Sequence, residues 1–393
     1  MYARRRRIAA LLWAGCCLLF LAGFAAAAAT VTVAAAEEMA ATDDLPCSGL
    51  EEALGHSLSF LSKVSPATVY RAGGRTIPVR RLTASLLHLH RLAATHPSPE
   101  VLAREIDRAY ERIQVNATPG QRPGRMLITG YYQPVFAGRL DRQPPFIYPL
   151  YRVPDDLLIH RSQGKKSIIG RRDNDTIVPY WTRAEIERHG LLLGQELVWL
   201  KDPFDAFTLH IQGSGIIRLA DGSQRGIHYA AKNGHPYRSI GAFMVSSSRM
   251  QSADVTMDSL RRYIEHHPEE RELIFHHNPS FIFFKLGEAG PAIGSLGQPL
   301  TPGRSVAADH RWYPPGSLVA IDSRRPVMTD DGQVREWQPL QRLATVQDTG
   351  SALVGPNRLD IFWGTGDQAG MEAGQMKEGG KVYLLLLKES LSE

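Results

Sequence analysis

Val346-Gln347-Asp348-Thr349-Gly350-Ser351, followed shortly by Arg358-Leu359-Asp360-Ile361-Phe362-Trp363-Gly364, is the stretch on which the reading of this chain turns. It sets two carboxylates twelve residues apart, Asp348 at a glycine turn and Asp360 inside an apolar run. Leu359, Ile361, Phe362 and Trp363 would bury a strand on both faces. A carboxyl among them loses hydration, which favours its neutral form. A proton held near neutral pH is what a general acid requires, and carbohydrate-cleaving sites prepare a carboxylic acid in this way. Spacing alone favours a plainer aspartate that ends a strand and bonds a turn; its apolar surroundings are what mark Asp360 as the acid.

Around this stretch, Leu318–Ile321, Leu343–Val346 and Val382–Leu387 are strand-like and, with the Asp360 strand, suit a small barrel. The same texture of short apolar runs broken by glycine and proline begins at Met126, with Leu127 to Pro134 and Phe146 to Tyr151, and resumes through Leu197–Leu200, Phe207–Ile211 and Ile216–Leu219. One helix interrupts it, with Thr182 and Glu185 as a capping box and Gly190 as its stop. Thr256 starts another helix, and His267-Pro268 a further one that stops at Asn278-Pro279. Upstream, three helices are expected. The first follows a capping box at Ser48 and Glu51, the second carries Leu82, Leu86, Leu89 and Ala93, and the third starts at Ser98-Pro99 and runs through Leu102, Ile106, Ala109 and Ile113.

The formal charge of +5 comes from 45 basic and 40 acidic residues, but Arg4 to Arg7 precede any acid and an uncharged apolar run from Ile8 to Ala29 follows them. Residues 1–36 read as a signal peptide or N-terminal anchor. Without those four arginines the balance is 41 to 40, or +1, which gives no support to nucleic-acid binding. The chain is expected to be exported to the periplasm, with the arginines left behind in the cytoplasm. Cleavage near Ala34-Ala35-Ala36, an uncleaved membrane span, or the weaker alternative of a lipid on Cys16 would each fit. Cys16 and Cys17 lie in this segment, so the exported part keeps only Cys47 and has no internal disulfide.

Ile211-Gln212-Gly213-Ser214-Gly215 and Tyr229 to Gly241 read as binding loops, since glycines allow close backbone approach and Lys232, Asn233, Tyr237 and Arg238 concentrate polar donors. The order needed for a phosphate-gripping loop is missing. His88 with His90, His266 with His267 and His276 with His277 lack metal-ligand spacing, and neither a metal nor a cofactor is expected.

Gly130-Tyr131-Tyr132-Gln133-Pro134, Gln212-Gly213-Ser214-Gly215, Gly234 to Gly241 and Asn278-Pro279-Ser280-Phe281-Ile282-Phe283-Phe284-Lys285 together resemble the membrane-bound lytic murein transglycosylase A family, from about Gly130 to the C-terminus. The tail, with Asp309, Asp348 and Asp360, resembles that family's three-aspartate domain. The resemblance implies a mainly β fold with accessory helices. A double-psi β-barrel and helices would be formed by residues 37–133 and 243–393, and a second β-rich, barrel-like domain inserted as residues 134–242 would leave a groove between the two. It implies Asp360 as the catalytic aspartate and Asp348 as a second site aspartate, with Trp363 standing where the family often has glutamine. Gln212, Ser214, Lys232, Tyr237, Tyr131 and Thr129 match groove positions. The implied substrate is the peptidoglycan glycan strand, cleaved between N-acetylmuramic acid and N-acetylglucosamine by a monomer. Two rivals stay open from the residues themselves. Asp348-Thr349-Gly350-Ser351 is also how an aspartic protease presents a carboxyl, though this chain has one such motif where that chemistry needs two. A barrel of this kind can also serve as a non-catalytic, expansin-like wall-binding module.

Overall fold

Three helices lead into the barrel, Cys47–Leu61, Val79–Ala93 and Pro99–Ala109. They bury Leu50, Leu54 and Leu61, then Leu82, Leu86, Leu89 and Ala93, then Leu102, Ile106 and Ala109. The sequence pattern carried the third helix on to Ile113, but the backbone turns extended at Tyr110. Tyr110–Ile113 instead pairs antiparallel with Leu384–Leu387, and the Tyr110 hydroxyl donates to the Ser85 carbonyl at 2.7 Å. The edge of the barrel thus takes those four residues from the helix. The first helix begins at Cys47, which puts Ser48 inside its first turn and not ahead of it.

This computed structural model describes residues 43–45, 47–116, 126–160 and 168–391. The segment read as a signal or anchor, with Cys16, lies outside them. No helix among the described residues is long and apolar enough to cross a membrane.

Six strands close into a barrel in the order Leu318–Met328, Val334–Asp348, Ser305–Ala308, Arg358–Thr365, Met126–Gln133, Lys377–Leu387, with the last pairing back on the first. Closure leaves an interior that side chains must fill. Ile128, Val306, Leu343, Leu359, Ile361 and Leu384 are fully or almost fully buried. Along the Asp360 strand, Leu359 and Ile361 are fully buried while Asp360 between them keeps some exposure, so strand alternation aims Asp360 outward. Its apolar neighbours therefore fill the barrel interior, and its desolvation comes from what covers the barrel's outer face.

At Pro134 the chain leaves the barrel for a second sheet of six strands, ordered Ile282–Glu288, Gln224–Lys232, Ser214–Arg218, Val135–Arg139, Glu196–Leu200, Tyr148–Tyr151. Ile282–Glu288, which follows the helices, is thus hydrogen-bonded along the 224–232 strand. The expected helices form at Arg183–His189, with its Thr182–Glu185 capping box, and at Met257–His266. Phe207–Ile211, read from sequence as a strand, lies in the helix Pro203–Gln212. The Asp202 side chain caps Phe204 N at 2.7 Å, Pro203 opens the first turn, and Gly213 ends the helix in the left-handed region at φ 80°. These punctuating residues overrule an apolar run whose period suits either element.

A buried ion pair holds the segment before the first helix to the barrel. Arg304, fully buried, donates from Nη1 to both Asp43 oxygens at 2.8 and 2.7 Å and to the Leu343 carbonyl at 2.8 Å. Removing one partner leaves a charge buried without compensation, which costs roughly 3–5 kcal/mol. Urea unfolding of Asp43→Ala is expected to show a loss of that order, whereas a loss below about 1 kcal/mol would mean that the pair is effectively solvated.

Candidate active site

Strand register brings the two aspartates onto one rung. Ala307 is paired with Asp348 on one side and with Asp360 on the other, Asp360 is paired with Thr129, and Thr129 with Lys377. Directly opposed residues on neighbouring strands point to the same face. The ladder is bulged between Val306 and Ala307, where Gln347 is passed over, and beyond the bulge Asp348 and Asp360 face the same cavity with backbones about 9.5 Å apart, two strand spacings. A cavity of about 680 Å³ lies over this rung, walled on its other side by residues such as Gln212, Tyr237, Ser239 and Leu260.

Asp360 is 18 % exposed at its side chain. The Thr129 hydroxyl donates a hydrogen bond to Asp360 Oδ1, and Arg358 Nε stands 3.5 Å from the same oxygen, at ion-pair distance. Burial pushes the Asp360 carboxyl above its ordinary range, although Arg358 and Thr129 both pull the other way. Burial also raises Asp348, against the pull of its donors, of which Ser295 N at 2.9 Å and Thr349 N at 2.8 Å both reach Oδ1. The third aspartate is unlike either. Asp309 accepts from Arg311 and from Gly355 N at 2.8 Å, and these donors hold it down to about 2 in spite of burial. It is an ionised brace for the 350s loop.

Tyr131, two residues along from Thr129 and opposite Phe362, packs its ring 5.3 Å from Phe362. Its buried hydroxyl makes no well-aligned hydrogen bond, yet both aspartates are near enough to act on it. Burial first, then those two negative charges, hold the phenol well above its usual range, so it stays neutral. Burial likewise raises Tyr237, whose neighbours include Ser239, Arg358 and Asp360.

Of the residues singled out from sequence, Asp348, Asp360, Thr129, Tyr131, Gln212 and Tyr237 line this cavity together. Gln212 Oε1 also accepts from Tyr132 N at 3.3 Å, which links the second sheet's helix to the barrel. Ser214 and Lys232 do not line the cavity. The left-handed turn at Gly213 sends Ser214 into the second sheet opposite His228, and Lys232 pairs with Ile282 in that sheet. Asn233 is a buried staple, donating to the Trp181 and Pro279 carbonyls and accepting from Phe281 N. Trp363 packs over Gly130, where an added Cβ would come within 2.6 Å of the indole nitrogen, and it is absent from the cavity wall. Arg358 and Lys377 were not selected from sequence. For Arg358 the signal was available, since it lies two residues before Asp360 on the same face of the strand. His276 meets Glu187 at 2.8 Å and His266 the Arg262 carbonyl at 2.7 Å. No group of three or more histidine, cysteine and acidic residues among the described residues is arranged to hold a metal.

Residues 127–285 match the MltA specific insert domain, and residues 304–386 match the 3D domain. The chain is 35% identical over 265 residues to the membrane-bound lytic murein transglycosylase A of Escherichia coli K12, an alignment covering 67% of this chain and 66% of that one, slightly under two thirds of the relative's length. It is 34% identical over 276 residues to the Vibrio cholerae protein of the same name, covering 69% of this chain and 68% of that one. Among solved structures, a membrane-bound lytic murein transglycosylase from Agrobacterium tumefaciens superposes with a TM-score of 0.67 at 29% identity, covering 88% of this chain and 95% of that one. The E. coli MltA with bound chitohexaose gives 0.65 at 27% identity, covering 88% and 92%. Sequence and fold thus agree over both the barrel and the second sheet, and the chain belongs to the membrane-bound lytic murein transglycosylase A family.

Proposed function

We propose that the chain is a peptidoglycan lytic transglycosylase that cleaves the β-1,4 bond between N-acetylmuramic acid and N-acetylglucosamine and leaves a 1,6-anhydro ring. The names of its relatives and the chitohexaose bound to one of them support the substrate class. The observation that carries the mechanism is the setting of Asp360. Burial favours its neutral form before reaction, while Thr129 and Arg358 are in place for the anion that forms afterwards. Both engage Oδ1, which leaves Oδ2 as the oxygen to carry the proton.

In the first step Asp360 gives that proton to the glycosidic oxygen as the bond to C1 breaks. The resulting carboxylate then takes the proton of the C6 hydroxyl while that oxygen attacks C1. Asp360 ends the cycle protonated, and no water is consumed. The nucleophile is tethered to the reacting carbon, so intramolecularity supplies what a positioned water would otherwise provide. Asp348 would hold the sugar on the same rung. No metal or cofactor takes part in this scheme, and one copy of the chain supplies both carboxylates. An aspartic protease is disfavoured because its two aspartates share a proton, whereas here Ala307 separates the two. Arg4 to Arg7, the apolar run behind them and the relatives' designation as membrane-bound support an exported protein working in the periplasm or at a membrane.

Asp360→Asn is expected to lower turnover by about 10²–10⁴-fold with sugar binding kept, and Asp348→Asn to cost less. A working Asp360→Asn with a dead Asp348→Asn would exchange the two roles, and a parent chain that binds glycan without cleaving it would make this a binding module.

Because burial raises Asp360 in the folded state, the folded chain binds the proton more tightly than the unfolded one. Its ionisation therefore costs stability as pH rises from the ordinary carboxylate range through the raised value. Asparagine imitates the neutral form. Thermal unfolding of Asp360→Asn against the parent should show an advantage that is small at pH 4 and larger at pH 7; a difference independent of pH would contradict the raised value.

Digestion of peptidoglycan in ¹⁸O-water is expected to give anhydro products without label. Labelled reducing ends as the main product would make the enzyme a hydrolase, with Asp348 as its second carboxylate.

A further inference from the structure

A second hollow of about 1120 Å³, more open than the first, adjoins the aspartate cavity. The two share Val245 and Thr256, and Gln375 on the second hollow lies between Gly374 and Met376 on the first. Its lining includes the polar side chains of Gln251, Ser259 and Gln333 and the histidines His266 and His267, with the charged Arg249 and Arg262 against Asp254 and Asp258.

Lys377 marks the way into it. It is opposite Thr129, which is opposite Asp360, so it stands two strand spacings, about 9.5 Å, from the acid. Its ammonium donates to the Ser252 carbonyl at 3.1 Å, on the segment that leads to Asp254 and Thr256. Arg249 is spent on Glu270 at 2.6 Å. Arg262 is differently placed, since its partner Asp258 is 62 % exposed and Arg262 itself 64 %, with 2.9 Å between them. Exposed pairs of this kind are weak and exchange readily for a better acceptor.

We propose that this hollow receives the stem peptide of the substrate, with Arg262 pairing to one of the peptide's carboxylates. The inference rests on the peptidoglycan reading given above. The muramic acid beside the scissile bond carries, on its lactyl group, an acidic peptide that cannot enter the cavity occupied by the sugars and must leave it along some path. The path past Lys377 into the polar hollow offers hydrogen-bonding walls and an exchangeable arginine, which suit an extended, carboxylate-bearing chain.

The test compares two substrates, intact glycan strands and the same strands stripped of peptide by an amidase, with the parent, Arg262→Gln and Arg262→Glu. The parent's activity on stripped strands tests the enzymatic reading by itself. Arg262→Gln is expected to lower kcat/KM on peptide-bearing strands roughly three- to tenfold and Arg262→Glu further, through KM, with stripped strands cleaved at the parent's rate. The difference should shrink in high salt, because the pairing is exposed. Equal losses on both substrates, or none on either, overturn the proposal.

Discussion

The closed barrel's register is the constraint on which the rest of this molecule depends. A slip of one residue in the Asp360 strand would turn Leu359 and Ile361 outward and drive the carboxyl into an apolar interior. The buried pair on either side of Asp360 therefore does more than fill space, since it fixes which way the acid faces. Closure leaves that strand no free edge, with Ser305–Ala308 on one side and Met126–Gln133 on the other. The same ladder that aims Asp360 also sets Thr129 beside it and Asp348 two strands away.

A barrel rung alone would leave the acid in solvent, with an ordinary carboxylate pKa. The cover comes from the second sheet and its helices, and several bonds hold the two parts in contact. Tyr132 N donates to Gln212, Gln133 Nε2 donates to the Gly290 carbonyl at 3.2 Å, and Ile216 N to the Pro134 carbonyl at 2.8 Å. In the proposed reaction the second sheet would thus contribute even where it supplies no catalytic group, because it shields Asp360 from water. The contrast with Asp309 shows the balance involved. All three aspartates meet a desolvation cost, but only Asp309 has enough strong donors to stay ionised well below the ordinary range.

Much of this was legible in the chain. Capping boxes and glycine stops marked helix ends, as at Thr182 and Gly190, because those signals are local. Short apolar runs gave the barrel strands but could not tell which face of the Asp360 strand was covered, or by what. Phe207–Ile211 misled because five apolar-rich residues fit either period, and Asp202-Pro203 before them was the better guide. Ser214 and Lys232 fell outside the cavity because composition shows that a loop is rich in donors but not where they point. The rung through Ala307 had no sequence signal at all, since long-range register belongs to the folded sheet.

The rung also bears on the choice between one catalytic carboxylate and two. Backbones about 9.5 Å apart leave side chains able to bracket a sugar at the wider separations that inverting hydrolases use, so distance alone does not decide it. The surroundings of Asp348 weigh more. A base that activates water must be ionised and must have a free oxygen facing a wet space. Burial raises Asp348, which works against the ionised form that such a base needs. The neutral phenol of Tyr131 lies near it as well, with Phe362 packed against the ring, so the space between the two carboxylates is partly apolar. Water there would be poorly held, whereas a C6 hydroxyl is delivered by the substrate itself. These surroundings support the proposed reaction, in which Asp360 handles both proton transfers and the nucleophile arrives already attached to the sugar.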